Sequence, residues 1–272
     1  MTEATVEGGA AVPTATGGQL VRIERDDWLV RITMTNPRRR NALSLAAIEA
    51  LADAFDRVAG TDAAGVILTG EGPVFSSGHD FADMSGRPYG EMRALLRTCA
   101  DMMLRIQSLP QVVLARVQGP ALAAGCQLVA SCDLAVADEG ASFSVPGGKA
   151  GWFCHTPMVA VGRQLPPKRA LEMALTGDPV DATTAAEWGL VNRAVPTAEL
   201  DEACADLLGR ATRGSRLSKG LGKQTYYAQI GLDIRQAYDV ATESMAAASQ
   251  TANGQESMNS FIERRPAKYV DR

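Results

Sequence analysis

The first half of the chain alternates short apolar runs with longer amphipathic stretches, and this alternation limits the fold more than any other feature. WLVRITMT (residues 28–35) alternates apolar and polar side chains and stops at Asn36-Pro37, as a strand does. Ser44 then opens LSLAAIEALADAFDRVAG, where Leu45, Ile48, Leu51, Phe55 and Val58 recur at three- and four-residue steps until Gly60. That spacing predicts an amphipathic helix with a serine N-cap and a glycine stop. GVILT (65–69) reads as a buried strand ended by Gly70. A helix is expected over 88–108, with Met92, Leu95, Cys99, Met102 and Ile106 on one side and Pro110 beyond its end. A strand over 112–117, a Gly/Ala turn, a helix through Ala130 and a strand over 134–137 follow. Short buried strands separated by helices pair in parallel, so the fold class is α/β.

From Pro157 onward the pattern is mainly helical: 156–163, 166–175, 183–188, 198–212, and several helices between Ser215 and Arg264. No internal repeat occurs, and no linker divides the chain into independent parts. The expected organisation is a disordered tail over 1–18, a core over 19–200 and a helical region over 201–272. The tail is small and polar with no basic residue before Arg22, unlike a secretory signal or an Arg-rich transit peptide. No apolar run is long enough for a membrane span. A formal charge of −4 gives no reason to expect nucleic acid as partner. Cys99, Cys126, Cys132, Cys154 and Cys204 lack disulfide or metal spacing, and are expected as small core residues in a reducing cytoplasm. With only two histidines, far apart, no metal is expected.

Two turns stand out chemically. GEGPVFSSGHDFADM (70–84) runs from a strand into a Gly/Ser loop, and VQGPALAAGCQLVASCDLAVA (117–137) turns through small residues into a helix. Small residues let a ligand approach the backbone, and the first N–H groups of a helix carry partial positive charge. On adjacent parallel strands, two such turns could aim two N–H groups at one oxygen, an oxyanion hole. Tight strand–helix packing explains the same residues, and on physics alone both readings stand. Neither turn has the G-x-G-x-x-G or P-loop pattern of a nucleotide site.

These two segments, with NPRRRNALS (36–44), FSVPGGKAG (143–151) and DATTAAEWGLVNRAVP (181–196), resemble successive signatures of the enoyl-CoA hydratase/isomerase (crotonase) family. The resemblance spans about residues 20–268. It implies a crotonase-like spiral of ββα units with a helical C-terminal trimerisation region, assembled as a homotrimer or a dimer of trimers. It also implies an acyl-CoA or enoyl-CoA ligand, a place in fatty-acid metabolism, and no cofactor besides the CoA thioester itself. The family's oxyanion hole falls on the backbone N–H groups of His79 and Ala124, with Asp80 and Phe81 beside the acyl and pantetheine channel. Phe261 and Lys268 resemble the C-terminal residues that close over the adenosine end. Arg38, Arg39 and Arg40 suit the CoA phosphates, because guanidinium forks match phosphate oxygens; a solvated charge run is the other reading.

The family's two catalytic glutamates are missing. Their positions fall on Gln127 and Gly147, and neither residue can exchange a proton at neutral pH. His155, in GWFCHTP, is a candidate substitute base, since imidazole titrates near neutrality. His79 could also turn its ring toward the ligand. Cys126 reads as core, and Asp80 and Asp83 as loop hydrogen-bonding residues. The combination of Gln127 with SSGHD and GWFCHTP resembles a divergent subgroup of the family. Three functions remain open: a lyase or isomerase of hydratase/isomerase type with a non-standard acid–base set, a non-catalytic acyl-CoA binder, and a CoA-thioester hydrolase.

Overall fold

A computed structural model of the chain describes residues 20–270, so the expected N-terminal tail lies outside the described residues. The chain enters through β1 (Val21–Asp26) and turns back antiparallel into β2 (Leu29–Met34). VRIERD carries four charged side chains, so β1 gives little apolar signal, yet Val21 and Ile23 point into the core. Next come α1 (Leu45–Ala59), β3 (Gly65–Gly70), the short α2 (Phe81–Met84), α3 (Tyr89–Ser108) and β4 (Val112–Val117). The Ser44 hydroxyl accepts from the Ala47 amide at 3.1 Å, the expected cap, and Ile48, Leu51, Phe55 and Val58 are buried.

β5 (Ala121–Leu122), α4 (Ala124–Ser131), β6 (Leu134–Asp138) and β7 (Ser142–Ser144) follow. The remainder is α5 (Pro157–Gln164), α6 (Pro167–Thr176), β8 (Val180–Asp181), α7 (Ala182–Trp188), β9 (Arg193–Val195), α8 (Leu200–Ala211), α9 (Arg216–Gln229), α10 (Ile234–Ser249) and α11 (Ala252–Ile262). The main sheet runs β1-β2-β3-β4-β6-β9, parallel from β2 onward. A second sheet, β5-β7-β8, stands beside it. The class is α/β, as expected.

Alternate residues of β3 serve opposite faces of the sheet. Val66 and Leu68 join the large core beneath α1 and α3, whereas Ile67, with Leu114 and Val136, packs on Leu200, Cys204 and Leu208 of α8. Beyond α8 the chain is held by a buried polar knot. Lys223 of α9 reaches Asp133, just past α4, at 2.7 Å, and the Tyr227 hydroxyl donates to the same carboxylate at 2.9 Å. α10 buries no residue and leaves Ile234, Tyr238 and Met245 exposed. Cys99, Cys126, Cys132 and Cys204 are buried and Cys154 is half-buried, all as free thiols. No described helix is long and apolar enough to cross a membrane.

Candidate functional site

The two turns singled out in the sequence leave neighbouring parallel strands, β3 and β4, and meet. Ser76 and Ala121 form a parallel bridge, with the Leu122 amide donating to Ser76 O at 2.9 Å. Leu43 and His79 form another: the Leu43 amide donates to Gly78 O at 2.8 Å, and Leu43 O accepts from the Asp80 amide at 3.2 Å. In such a bridge Leu43 takes the peptide groups on both sides of His79, so the amide of His79 itself faces away from Leu43.

The far side is the start of α4. A β-carbon added to Gly78 would lie 2.8 Å from Leu122 O and 3.0 Å from the Ala124 amide nitrogen. One added to Gly125 would lie 2.3 Å from Ser76 O. These two glycines are what allow the turns to touch, and the Gly/Ala character of both turns was their signal in the sequence. Neither the His79 amide nor the Ala124 amide has an acceptor within the described protein. Ala124 opens the helix, where N–H groups lack intrahelical partners and carry the positive end of the helix dipole. Ala123, just before it, has φ 50° and ψ −115°, an uncommon conformation for a residue with a side chain. Its amide is fixed to Ser144 O at 2.8 Å. The two turns that carry these free amides are thus brought into contact by backbone geometry.

Gln127 lies three residues beyond Ala124, on the same face of α4, and helical side chains lean toward the N-terminus. It is 4% exposed, and its Oε1 is buried without a hydrogen-bond donor. The His79 ring has its Nε2 buried without a partner too. Burial pulls its pKa from 6.5 down to about 4, so the ring is neutral at physiological pH.

The position expected for the second acid is physically closed. After β7 the chain turns through Val145 and Pro146 to Gly147, and residues 152–154 fold back over it. A β-carbon on Gly147 would lie 2.1 Å from Trp152 O and 2.8 Å from Cys154 Sγ. The Gly147 amide donates to that sulfur at 3.3 Å, and Gly147 O accepts from the Trp152 amide at 2.9 Å. A glycine here is therefore required by its neighbours. Burial raises the Cys154 thiol's pKa, against a smaller opposing effect of the Gly147 N–H, and burial pushes Cys126 up as well. Neither is a ready thiolate.

The remaining expected residues divide. Asp80 caps α2 through the Ala82 amide and takes Arg39 at 2.8 Å, so Arg39 is already paired. Arg38 and Arg40 are exposed and have no carboxylate partner among the described residues, and Arg40 O accepts from the Ser77 amide at 3.0 Å. The arginine loop therefore abuts the His79 loop. Phe81 is exposed beside it, its ring 6.4 Å from that of Trp152, which the sequence reading did not single out. Asp83 accepts from the Leu45 amide at 2.7 Å, a loop role as expected. His155 is exposed, with its ring 5.1 Å from Phe153, and no contact joins it to Gln127 or the amides. Phe261 and Lys268 are exposed on the C-terminal segment, where α11 packs on α9 and α10. A cleft of about 230 Å³ lies elsewhere, among Thr61, Asp62, Gln111, Arg216 and Lys219, and touches neither amide. Among the described residues no group of His, Cys, Asp and Glu could hold a metal.

Comparison with known proteins gives the chain its relatives. The family model for enoyl-CoA hydratase/isomerase matches residues 24–272. Mouse enoyl-CoA hydratase domain-containing protein 3, mitochondrial, is 41% identical over 263 residues, covering 94% of this chain and 87% of that one. The crystal structure of the human protein of that name superposes with TM-score 0.87 at 38% identity, covering 92% of this chain and all of that one (100%). A crystal structure of enoyl-CoA hydratase from Mycobacterium smegmatis gives TM-score 0.88 at 40% identity, covering 92% and 98%. One expectation is corrected by these relatives. The cytoplasmic assignment is overturned by the mitochondrial designation of the mouse, rat and human proteins. Buried free thiols suit any reducing compartment, so cysteine usage could not separate one from another. Matched along nearly its whole length in sequence and in fold, the chain belongs to the enoyl-CoA hydratase/isomerase family, close to its domain-containing protein 3 subgroup.

Proposed function

We propose that this protein binds an acyl- or enoyl-CoA with the thioester oxygen between the His79 and Ala124 amides, stabilising the enolate formed when charge moves onto that oxygen. The observation that carries this reading is the pair of adjacent amides without internal acceptors, at a helix start and a strained turn. Each donor in such a hole is worth on the order of 3 kcal/mol to the charged state. Arg38 and Arg40, exposed on the neighbouring loop, would meet the phosphates of the ligand. A homotrimer or a dimer of trimers belongs to the same reading, supported by the apolar side chains that α10 exposes. In that assembly Phe261 and Lys268 would act from the C-terminal helices.

The chemistry is of hydratase/isomerase type without the glutamate pair. An amide at 127 and a glycine at 147 leave both proton transfers of hydration without their usual groups, and each such loss costs about 10²–10⁴ in rate. The closure over Gly147 favours a second reading, in which the chain holds the thioester without turning it over. The two are separated by incubating the protein with crotonyl-CoA and longer enoyl-CoAs while following enone absorbance, free thiol and binding heat. Enone loss abolished by His155→Ala supports a substitute base at 155. Binding with neither signal supports the second reading, thiol release supports hydrolysis, and absence of binding overturns the proposal.

A further inference from the structure

The buried knot that holds α9 lies at the base of the segment that carries the Ala124 amide. That segment, from Val113 to Asp133, runs out along β4, through the second turn and back along α4. Its two ends are bonded to each other. The Asp133 amide donates to Val113 O at 3.0 Å, and the Val113 amide donates to Asp133 Oδ2 at 2.7 Å. The same carboxylate takes the Lys223 ammonium on Oδ2 at 2.7 Å and the Tyr227 hydroxyl on Oδ1 at 2.9 Å. Lys223 also donates to Ile106 O, near the end of α3, and to Gln111 O, just before β4, both at 2.8 Å. Every donor of the ammonium is thereby used. Lys223 and Tyr227 stand one turn apart on a single face of α9 and close on Asp133 together.

Only α4 separates this knot from the Ala124 amide. All eight of its residues are buried, so core packs against it on every side. A helix of that length spans about 12 Å, and a close-packed interior passes a displacement of one end on to the other. Charge acts in the same sense. Asp133 stands just past the C-terminus of α4, where a bare carboxylate opposes the helix dipole and a cation supports it. The Lys223 ammonium supplies that cation, with its side chain only 8% exposed. Resting on the acyl-CoA reading above, we infer that Lys223 and Tyr227 are positioning residues for the thioester donor at Ala124, acting through Asp133 and α4. Neither side chain touches the ligand. Because α10 packs on α9, the helices that expose Ile234, Tyr238 and Met245 are joined to the free end of α4 at this knot.

Infrared difference spectra of the full chain saturated with butyryl-CoA, labelled with ¹³C at the thioester carbonyl, test this beside denaturant unfolding of the same variants. Tyr227→Phe removes one bond to Asp133 and keeps the ion pair; Lys223→Met removes the ion pair. In both, the carbonyl band is expected to move part of the way back to its position in free ligand, further in Lys223→Met. Binding is expected to weaken by about threefold or more. Leu208→Ala, in the separate cluster beneath α8, serves as the reference for lost stability alone, and its band is expected at the wild-type position. A wild-type band in Tyr227→Phe overturns the inference, and this variant decides by itself should Lys223→Met fail to fold. A band that moves as far in Leu208→Ala overturns it as well, since any loosening of the core would then suffice. If the wild-type complex shows the band of free ligand, the acyl-CoA reading itself fails.

Discussion

Between Ser76 and Asp80, and again between Ala121 and Gly125, close packing leaves backbone amides free; between Pro146 and Cys154 it closes over a glycine. In the first region glycines at 78 and 125 bring two turns together, and the His79 and Ala124 amides are left free. In the second a glycine also allows close approach, but what approaches Gly147 is Trp152 O and the Cys154 thiol. Both regions use the missing side chain of glycine, to opposite ends. On the proposed reading, main-chain recognition of a thioester oxygen and side-chain proton transfer are separable parts of this fold. The first depends on backbone geometry and tolerates drift in side chains; the second depends on single titratable residues.

Substitutions can break either half of this contrast. The largest effect is expected from Gly125→Val, whose Cβ would lie 2.3 Å from Ser76 O inside the core. It should cost about 3 kcal/mol or more and separate the two turns, so that denaturant unfolding and acyl-CoA binding fail together. Gly147→Glu comes next, at about 2–3 kcal/mol, because the 152–154 loop must move away from a Cβ 2.1 Å from Trp152 O. Added to Gln127→Glu it should bring no further gain in crotonyl-CoA hydration, measured by enone absorbance. A clear gain in hydration would show that the second acid position is open after all.

His79 sharpens the contrast through pH. Its folded pKa of about 4 lies below the unfolded value near 6.5, so between these values the unfolded chain binds more protons. Stability should be constant above pH 6.5 on this account and fall as pH drops toward 4, by about 2 kcal/mol once residual exposure of the ring is allowed for. His79→Asn should flatten that part of the pH–stability curve. The smallest effect belongs to Arg39→Ala. Arg39 is largely exposed, and its pair with Asp80 should contribute less than about 1 kcal/mol, read from urea midpoints.

Much of the framework was legible in the sequence because it is written in long periodic segments. α1, α3, β3 and β4 follow from apolar spacing, Ser44 and Gly60, and the two turns stand out by their small residues. β1 was not, because its charged residues mask two buried positions, and β5, β7, β8 and β9 are strands of two or three residues without a period. The meeting of the two turns was expected from strand order, but the fit at Gly78 and Gly125 depends on distances that only packing supplies. The filling of the Gly147 position was invisible for a similar reason: it comes from residues 152–154 folding back, not from the glycine. Arg39 could not be told from Arg38 and Arg40 in a run of three, since its pairing rests on Asp80, far along the chain.

The claim beneath all of this is that two backbone amides share one thioester oxygen. Isotope-edited infrared difference spectroscopy of butyryl-CoA labelled with ¹³C at its thioester carbonyl reads that bond directly. In a complex saturated by calorimetry, hydrogen bonds from His79 and Ala124 should move the carbonyl stretch to lower wavenumber than in free ligand. A band at the same position in the saturated complex as in solution would contradict the account.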